Sequence, residues 1–193
     1  MDDITPDKSA LWQEVESILR QVSAQFGYQE IRTPSLEKAE MFKQNIGVET
    51  DVVSKQMFYI AIDEDIKDKE QLVLKPEMTA PVVRAYMEGG LWRSKPLSKL
   101  YYIDSFFRRE RQQKGRRRQF HQFGVEVLGG GYGTDQDAEV ILFAWTCMEK
   151  LKIKNKKLVI NNIGTIKERQ EWQKELEKYF QKHKEKLSDE SKE

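Results

Sequence analysis

The sequence predicts an α+β fold, and three features carry that expectation. Two long runs rich in aromatic and β-branched residues, LSKLYYIDSFF at 97–107 and QFHQFGVEVL at 119–128, flank a short cationic stretch, and an antiparallel pair is the simplest way to join them. Amphipathic helical spacing opens the chain and returns after the glycine run at 129–133. Strand pairs and helices therefore interleave around several antiparallel strands, the pattern of a sheet flanked by helices.

Taken in order, Leu11, Val15, Ile18, Leu19, Val22 and Phe26 recur at helical spacing behind Thr5-Pro6, a cap and first-turn proline, with Gly27 as a stop. YQEIRTP reads as a short strand ended by Pro34, and LEKAEMFKQNIG as a short helix or helical turn closed at Gly47. QMFYIAI and QLVLK are strand-like about the polar DEDIKDKE, a hairpin with a long turn. TAPVVRAYMEGG predicts a helix capped by Thr79, with Pro81 in its first turn and a Gly pair at its end. After the hairpin, Thr134 with Asp137 resembles a capping box for a helix buried through Val140, Ile141, Ala144, Trp145, Met148 and Leu151. KKLVINN reads as a further strand. TIKE at 165–168 is a capping box for a last helix with Trp172, Leu176, Tyr179 and Phe180 on one face. Beyond Lys182 the chain is nearly all charge and reads as a frayed or disordered end, or a place where a longer protein was cut.

Composition narrows the function classes. With 193 residues and 38% hydrophobic content the chain holds enough apolar material for one core. A single cysteine, Cys147, rules out an intrachain disulfide framework and fits a reducing, cytoplasmic setting. No apolar run approaches a membrane span, and the acidic start lacks the order of a signal peptide, so a soluble protein without a membrane partner is expected.

Net charge is only +1, yet the stretch from Arg108 to Arg118 sets seven cations against the single carboxylate Glu110. A focused cationic patch on an otherwise acidic body points to a localised anionic partner, with a solvated loop as the bland alternative. Residues two apart on a strand share a face. By that parity Arg108, Glu110, Phe120, Gln122, Gly124 and Glu126 line one side, while Phe123, Val125 and Val127 line an apolar side. Burying such a polar face without partners costs about 1–3 kcal/mol per group, so a ligand is one way to satisfy it and open water is the other. Arginine suits a phosphate, carboxylates suit cationic nitrogens, and Phe120 suits a flat base. The loop 111–117 is long for a hairpin, contains Gly115, and fits contact with phosphates of RNA or of a nucleoside triphosphate. His121 falls on the apolar side and reads as a core or supporting histidine. LGGGYGT lacks the register of a nucleotide-binding glycine motif and reads as a loop feeding a helix. No protein-built metal site is indicated, although Mg2+ can arrive with a nucleotide.

These stretches together resemble a known family. LKPEMTAPVVRAY and FRRERQQKGRRRQFHQFGVEVLG, preceded by GYQEIRTPSLEKAEMF and IGVETDVVSKQMF, are similar to the histidyl-tRNA synthetases, class II aminoacyl-tRNA synthetases, from about Asp3 to near Asn161. EIRTP looks like motif 1, whose helix and strand would form a homodimer interface through residues 9–34. FRRER to RQFHQFGVE looks like motif 2, the strand-loop-strand of the ATP site. The resemblance implies that Glu77, Thr79 and Gln122 hold the α-amino group of histidine, with Met78 in the same segment, and that Glu126 accepts from its imidazole. It implies that Arg108 binds the ATP α-phosphate and the histidine carboxylate as the catalytic residue. Glu110 and Phe120 would contact adenine, Arg116 the outer phosphates, and Gln113, Lys114 and Arg117 the acceptor end of tRNA(His).

The implied domains are a partial class II catalytic domain over 1–164, with motifs 1 and 2, and a charged C-terminal helix and tail over 165–193. Three positions depart from the family pattern. Met78 stands for Gly, where it could tighten the amino-acid pocket, Arg109 for an aromatic or His, and Gln112 for Pro. The chain stops before the second histidine-recognition segment, the motif 3 arginine and the anticodon-binding domain, and reads as the N-terminal half of a synthetase. Two other readings remain: the synthetase-like regulatory subunit of ATP phosphoribosyltransferase, and an RNA-binding or dimerisation module without catalysis.

Overall fold

The computed structural model describes residues 3–46, 56–61, 71–110, 113, 115–131, 133–162 and 164–188, with backbone alone at 45 and 46. The chain divides into two compact units, Met1–Ile153 and Lys154–Glu193. In the first unit, α1 (Pro6–Gln25) leads to β1 (Gln29–Glu30), β2 (Leu36–Lys38) and α2 (Ala39–Ile46), then to β3 (Phe58–Tyr59) and β4 (Leu72–Leu74). It continues through α3 (Thr79–Glu88), the single turn α4 (Leu91–Ser94), β5 (Leu97–Phe107), β6 (Gln119–Gly129) and α5 (Thr134–Lys150). No helix among the described residues is long and apolar enough to cross a membrane.

The expected antiparallel pair forms in full. β5 and β6 run in register from Leu97 opposite Gly129 to Phe107 opposite Gln119, and β1 adds to β5 in parallel at Gln29–Leu100 and Glu30–Tyr101. A smaller sheet places β4 between β2 and β3, both antiparallel to it. The β3–β4 pairing matches the predicted hairpin, whose turn lies outside the described residues.

Side-chain alternation decides what covers each face. The odd positions Tyr101, Ile103, Phe123, Val125 and Val127 pack against Leu19 and Val22 of α1 and Phe143 and Cys147 of α5. The even face is divided between its strands, a division that period-2 reasoning alone does not supply. On β5, Leu100, Tyr102 and Phe106 are buried against Met78 and Val82 at the start of α3. On β6, Gln122 is exposed, while Gly124 and Glu126 are half-buried. A third cluster, Ala39, Phe42, Met57, Val73 and Ala80, joins the smaller sheet to α2 and α3.

Three helix expectations change. Leu36–Lys38, expected to open a helix, pairs with β4 as strand β2, so α2 starts only at Ala39, and its expected stop at Gly47 lies outside the described residues. α5 takes Gly133 as its N-cap, and no side chain caps it, because Thr134 already lies in the first helical position. Its buried stripe is Phe143 and Cys147, whereas Ala144 is exposed. The reason is aromatic packing: Phe143 meets Phe26, Tyr28 and Phe123 at ring separations of 5.3, 4.9 and 5.7 Å.

In the second unit the strand expected at KKLVINN is not one. Residues 156–162 enter no ladder, and Leu158, Val159 and Ile160 are exposed, so β-type sequence alone does not make a strand without a neighbour to pair with. The helix α6 (Ile166–Lys182) does open on the predicted capping box. The Thr165 hydroxyl accepts from the Glu168 amide at 3.3 Å, and the Thr165 amide donates to the Glu168 carboxylate at 2.7 Å. Past Lys182 the chain makes one 3₁₀ turn, Lys184–Lys186, where the sequence predicted a frayed or disordered end.

Candidate active site

Three stretches meet at the polar part of the β5–β6 hairpin: the end of β5 at Arg108, the middle of β6, and the turn from Lys75 to Thr79. The turn is tied by its backbone. The Lys75 amide donates to the Ser35 carbonyl, and the Lys75 carbonyl accepts from the Phe107 amide, both at 3.0 Å. Glu77, not Thr79, caps α3: its carboxylate accepts from the amides of Thr79 at 2.6 Å and Ala80 at 3.0 Å. An anionic acceptor at a helix N-terminus satisfies orphan donors and faces the positive end of the dipole. Thr79 is thereby released to donate its hydroxyl to Glu126 Oε1 at 2.8 Å.

The surroundings of Glu126 shift its carboxyl. Burial pushes its carboxyl above the usual range and the charge of Glu77 adds to this, while the Thr79 hydroxyl partly offsets both. Tyr102 feels the same surroundings, its hydroxyl pushed up to about 12 by burial first and by Glu126 and Glu77 after it. Tyr102 stands opposite Gly124, where an added Cβ would lie 2.3 Å from its hydroxyl oxygen. The glycine gap read from the sequence is therefore taken up by Tyr102. Gln122 is exposed opposite Asp104, and its side-chain amide has no partner among the described residues. Met78 joins the polar cluster only by its place in the chain: its side chain is buried in the core, with its sulfur 3.4 Å from the Thr33 hydroxyl.

Beside this cluster, Arg108 donates from Nε to the Pro76 carbonyl at 3.0 Å and lies over the Phe120 ring at 5.1 Å. Its terminal nitrogens have no partner among the described residues. Arg108 and the neighbouring Glu110, Arg116, Phe120 and Gln56 line an open cleft of about 650 Å³. Arg116 sits 3.6 Å from the Glu110 carboxylate, an ion pair with the arginine largely exposed and the glutamate 15% exposed. At the loop tip the Arg116 amide donates to the Gln113 carbonyl at 2.9 Å, and Gly115 has φ +84°. A residue with a Cβ is strained there. Gln113 and Arg117 are exposed beside it, while Lys114 and Gln112 lie outside the described residues. Arg109 is exposed, and its amide donates to the Gln56 carbonyl at 2.6 Å.

His121 keeps the side that parity assigns but not the burial. It is exposed near the open end of the hairpin, bonded to the Ser105 hydroxyl at 3.1 Å and edge-on to Trp12 at 4.7 Å. Another cleft, of about 620 Å³ along the glycine loop before α5, gathers no set of ionisable groups beyond Asp137. Sequence reading overlooked three residues of the site's framework: Tyr102, Asp104 and Lys75. The first two share even parity with Arg108, and Lys75 is a lone charge ending an apolar strand, a signal that was available.

A base-sized aromatic floor, guanidinium donors and a carboxylate cluster thus follow one another along the hairpin, complementary to a flat base, a phosphate and a cationic nitrogen. Comparison with known proteins gives the family and the fold. A crystal structure of apo histidyl-tRNA synthetase from S. aureus matches with TM-score 0.71 at 30% identity, covering 100% of this chain and 44% of that one. The chain thus spans less than half the length of that relative. A protein from Bacillus halodurans C described as an ATP phosphoribosyltransferase regulatory subunit/histidyl-tRNA synthetase matches with TM-score 0.65 at 26% identity, over 80% of this chain and 37% of that one. Pyrrolysyl-tRNA synthetase from Desulfitobacterium hafniense, at 20% identity and TM-score 0.61 over 77% of this chain and 50% of that one, shares the fold. The architecture is that of the class II synthetase catalytic core. With the pattern of the family described as Histidyl-tRNA synthetase matching residues 1–186, the chain belongs to the histidyl-tRNA synthetase family.

Proposed function

We propose that the protein activates L-histidine with ATP as histidyl-adenylate and transfers the histidyl group to tRNA(His), with residues 1–164 supplying the motif 1 and motif 2 part of the catalytic domain. The observation that carries this reading is Arg108: a guanidinium fixed through Nε and stacked on Phe120, its other nitrogens without a partner among the described residues, beside a polar cluster of Glu77, Thr79 and Glu126, with Gln122 further along the same face of β6.

In this reading the histidine carboxylate attacks the α-phosphorus of ATP. An O–P bond forms, the O–P bond to the β-phosphate breaks, and pyrophosphate leaves; Mg2+ arriving with the nucleotide would screen the phosphate charge. Arg108 stabilises the charge that grows on the α-phosphate and orients the attacking carboxylate, so catalysis is positioning and electrostatics without a covalent enzyme intermediate. Phe120 and Glu110 take the adenine, Arg116 leaves Glu110 for the outer phosphates, and Gln113, Lys114 and Arg117 meet the tRNA acceptor end. Glu77, Thr79 and Gln122 receive the α-amino group, and Glu126 accepts from the imidazole. A site that hydrogen-bonds the imidazole rejects other amino acids because they leave buried polar groups unpaired. The protein works in the cytoplasm as a homodimer through residues 9–34.

The likeness to the Bacillus halodurans protein supports a second reading, a regulatory subunit that binds a partner enzyme and charges no tRNA. Calorimetric titration with histidine, ATP and a non-hydrolysable histidyl-adenylate analogue, repeated with other amino acids, tests the first reading. Selective binding of the histidyl analogue and of ATP is expected. Histidine binding without any nucleotide binding would favour the regulatory reading, and absence of both from a folded sample would sink the adenylate reading for this chain.

A further inference from the structure

Lys75 is fully buried, and its ammonium is satisfied by groups from two other segments. Nζ lies 2.6 Å from Asp104 Oδ2 on β5, 3.2 Å from the Thr33 carbonyl and 3.4 Å from the Thr33 hydroxyl, and 5.7 Å from the centre of the Phe106 ring. An ammonium taken out of water is tolerated only when paired and hydrogen-bonded, so this arrangement is specified and not incidental. Asp104 is itself held, its second oxygen accepting from the Ser105 amide at 2.7 Å.

What the clamp fixes is the backbone at Lys75–Pro76. The head of Lys75 binds β5 and the segment after β1, while its amide and carbonyl are bonded to Ser35 and Phe107. The next carbonyl, that of Pro76, is the acceptor for Arg108 Nε. We propose that Lys75 is a positioning residue for Arg108: its buried ion pair with Asp104 holds the Pro76 carbonyl where it orients the guanidinium toward the cleft. The proposal rests on the reading of Arg108 as the phosphate ligand. Lys75 touches no substrate and acts through the Pro76 carbonyl alone.

Solvent exchange of the Arg108 Nε–H, read in ¹⁵N spectra of the full chain and assigned by its loss in Arg108→Lys, tests the link without any ligand. Lys75→Met and Asp104→Asn should each speed that exchange about tenfold, the scale of coupling between residues sharing one network, while Lys75→Arg should keep it slow. Should Lys75→Met fail to fold, Asp104→Asn decides, because it keeps the shape and removes only the counter-charge. Unchanged exchange in a folded variant overturns the proposal. ATP titration then reads the consequence: Lys75→Met should weaken binding about tenfold in the wild-type background and not at all in Arg108→Ala, the signature of one network. Additive losses would overturn the proposal. Failure of the wild-type chain to bind ATP would instead refute the nucleotide reading, with the exchange measurement still deciding Lys75.

Discussion

Arg108 is placed by one bond to a carbonyl and by one aromatic face, and both leave its charge available. Arg108→Ala should lower ATP–pyrophosphate exchange of the active protein by about two orders of magnitude or more, since the growing charge on the α-phosphate loses its partner. A retained rate would remove Arg108 from the mechanism. Glu126 carries a different trade. Its raised carboxyl pKa means the folded state holds the proton more tightly than the unfolded chain does, so stability falls as pH rises through that raised value. Glu126→Gln should match wild-type melting at acid pH and exceed it by about 2 °C or more at neutral pH, while weakening histidine binding far more than ATP binding. Melting curves across pH and paired titrations check this. Coincident curves at neutral pH, or equal effects on the two ligands, would contradict it. Arg108, Gln122 and Glu126 were legible from parity, because a period of two converts numbering into facing. For Lys75 and Tyr102 the sequence shows a lone charge and an even-parity ring but not their contacts, because these depend on which residues of other segments come to face them.

The hairpin shows how register makes such contacts. Tyr102 faces Gly124 only because β5 and β6 pair without a bulge from Leu97 to Phe107. Gly124→Ala should therefore cost about 1–3 kcal/mol in denaturant unfolding, as overpacking does. Tyr102→Phe should not relieve it, since the ring carbon Cζ stands only 2.4 Å from the added Cβ. Full rescue by Tyr102→Phe would mean that the hydroxyl alone makes the clash. In the second unit, Thr165→Ala should cost α6 about 1 kcal/mol through the lost cap, visible as faster amide exchange in its first turn. The capping box was readable because it spans four residues. The strand at 156–162 was misread because a ladder needs a partner, and nothing in the segment's own composition supplies one.

At the scale of the molecule, α1 and the loop tip carry the proposed dimer and RNA contacts. Leu11 is 63% exposed on α1, within the segment proposed for the dimer. Leu11→Glu should shift sedimentation from dimer to monomer with little change in monomer stability, and an unchanged dimer would place the interface elsewhere. Arg117→Ala should reduce the slope of log affinity against log salt for tRNA by about one, as one phosphate contact does. An unchanged slope would remove Arg117 from the RNA contact.

Local, periodic information determined the α1 and α6 helices, the β5–β6 hairpin, the polar face of β6 and the cationic loop, since helix and strand periods, turn residues and charge runs are written within a few consecutive residues. The tertiary structure decided what the even face of β5 packs against, that Glu77 and not Thr79 caps α3, that Phe143 and not Ala144 turns inward, and that Lys75 finds Asp104 and Thr33. Each of these joins residues distant in the chain or selects among helix faces of similar apolarity. The physical reason is that packing and the pairing of buried charge are settled by three-dimensional neighbours, which a linear pattern does not name.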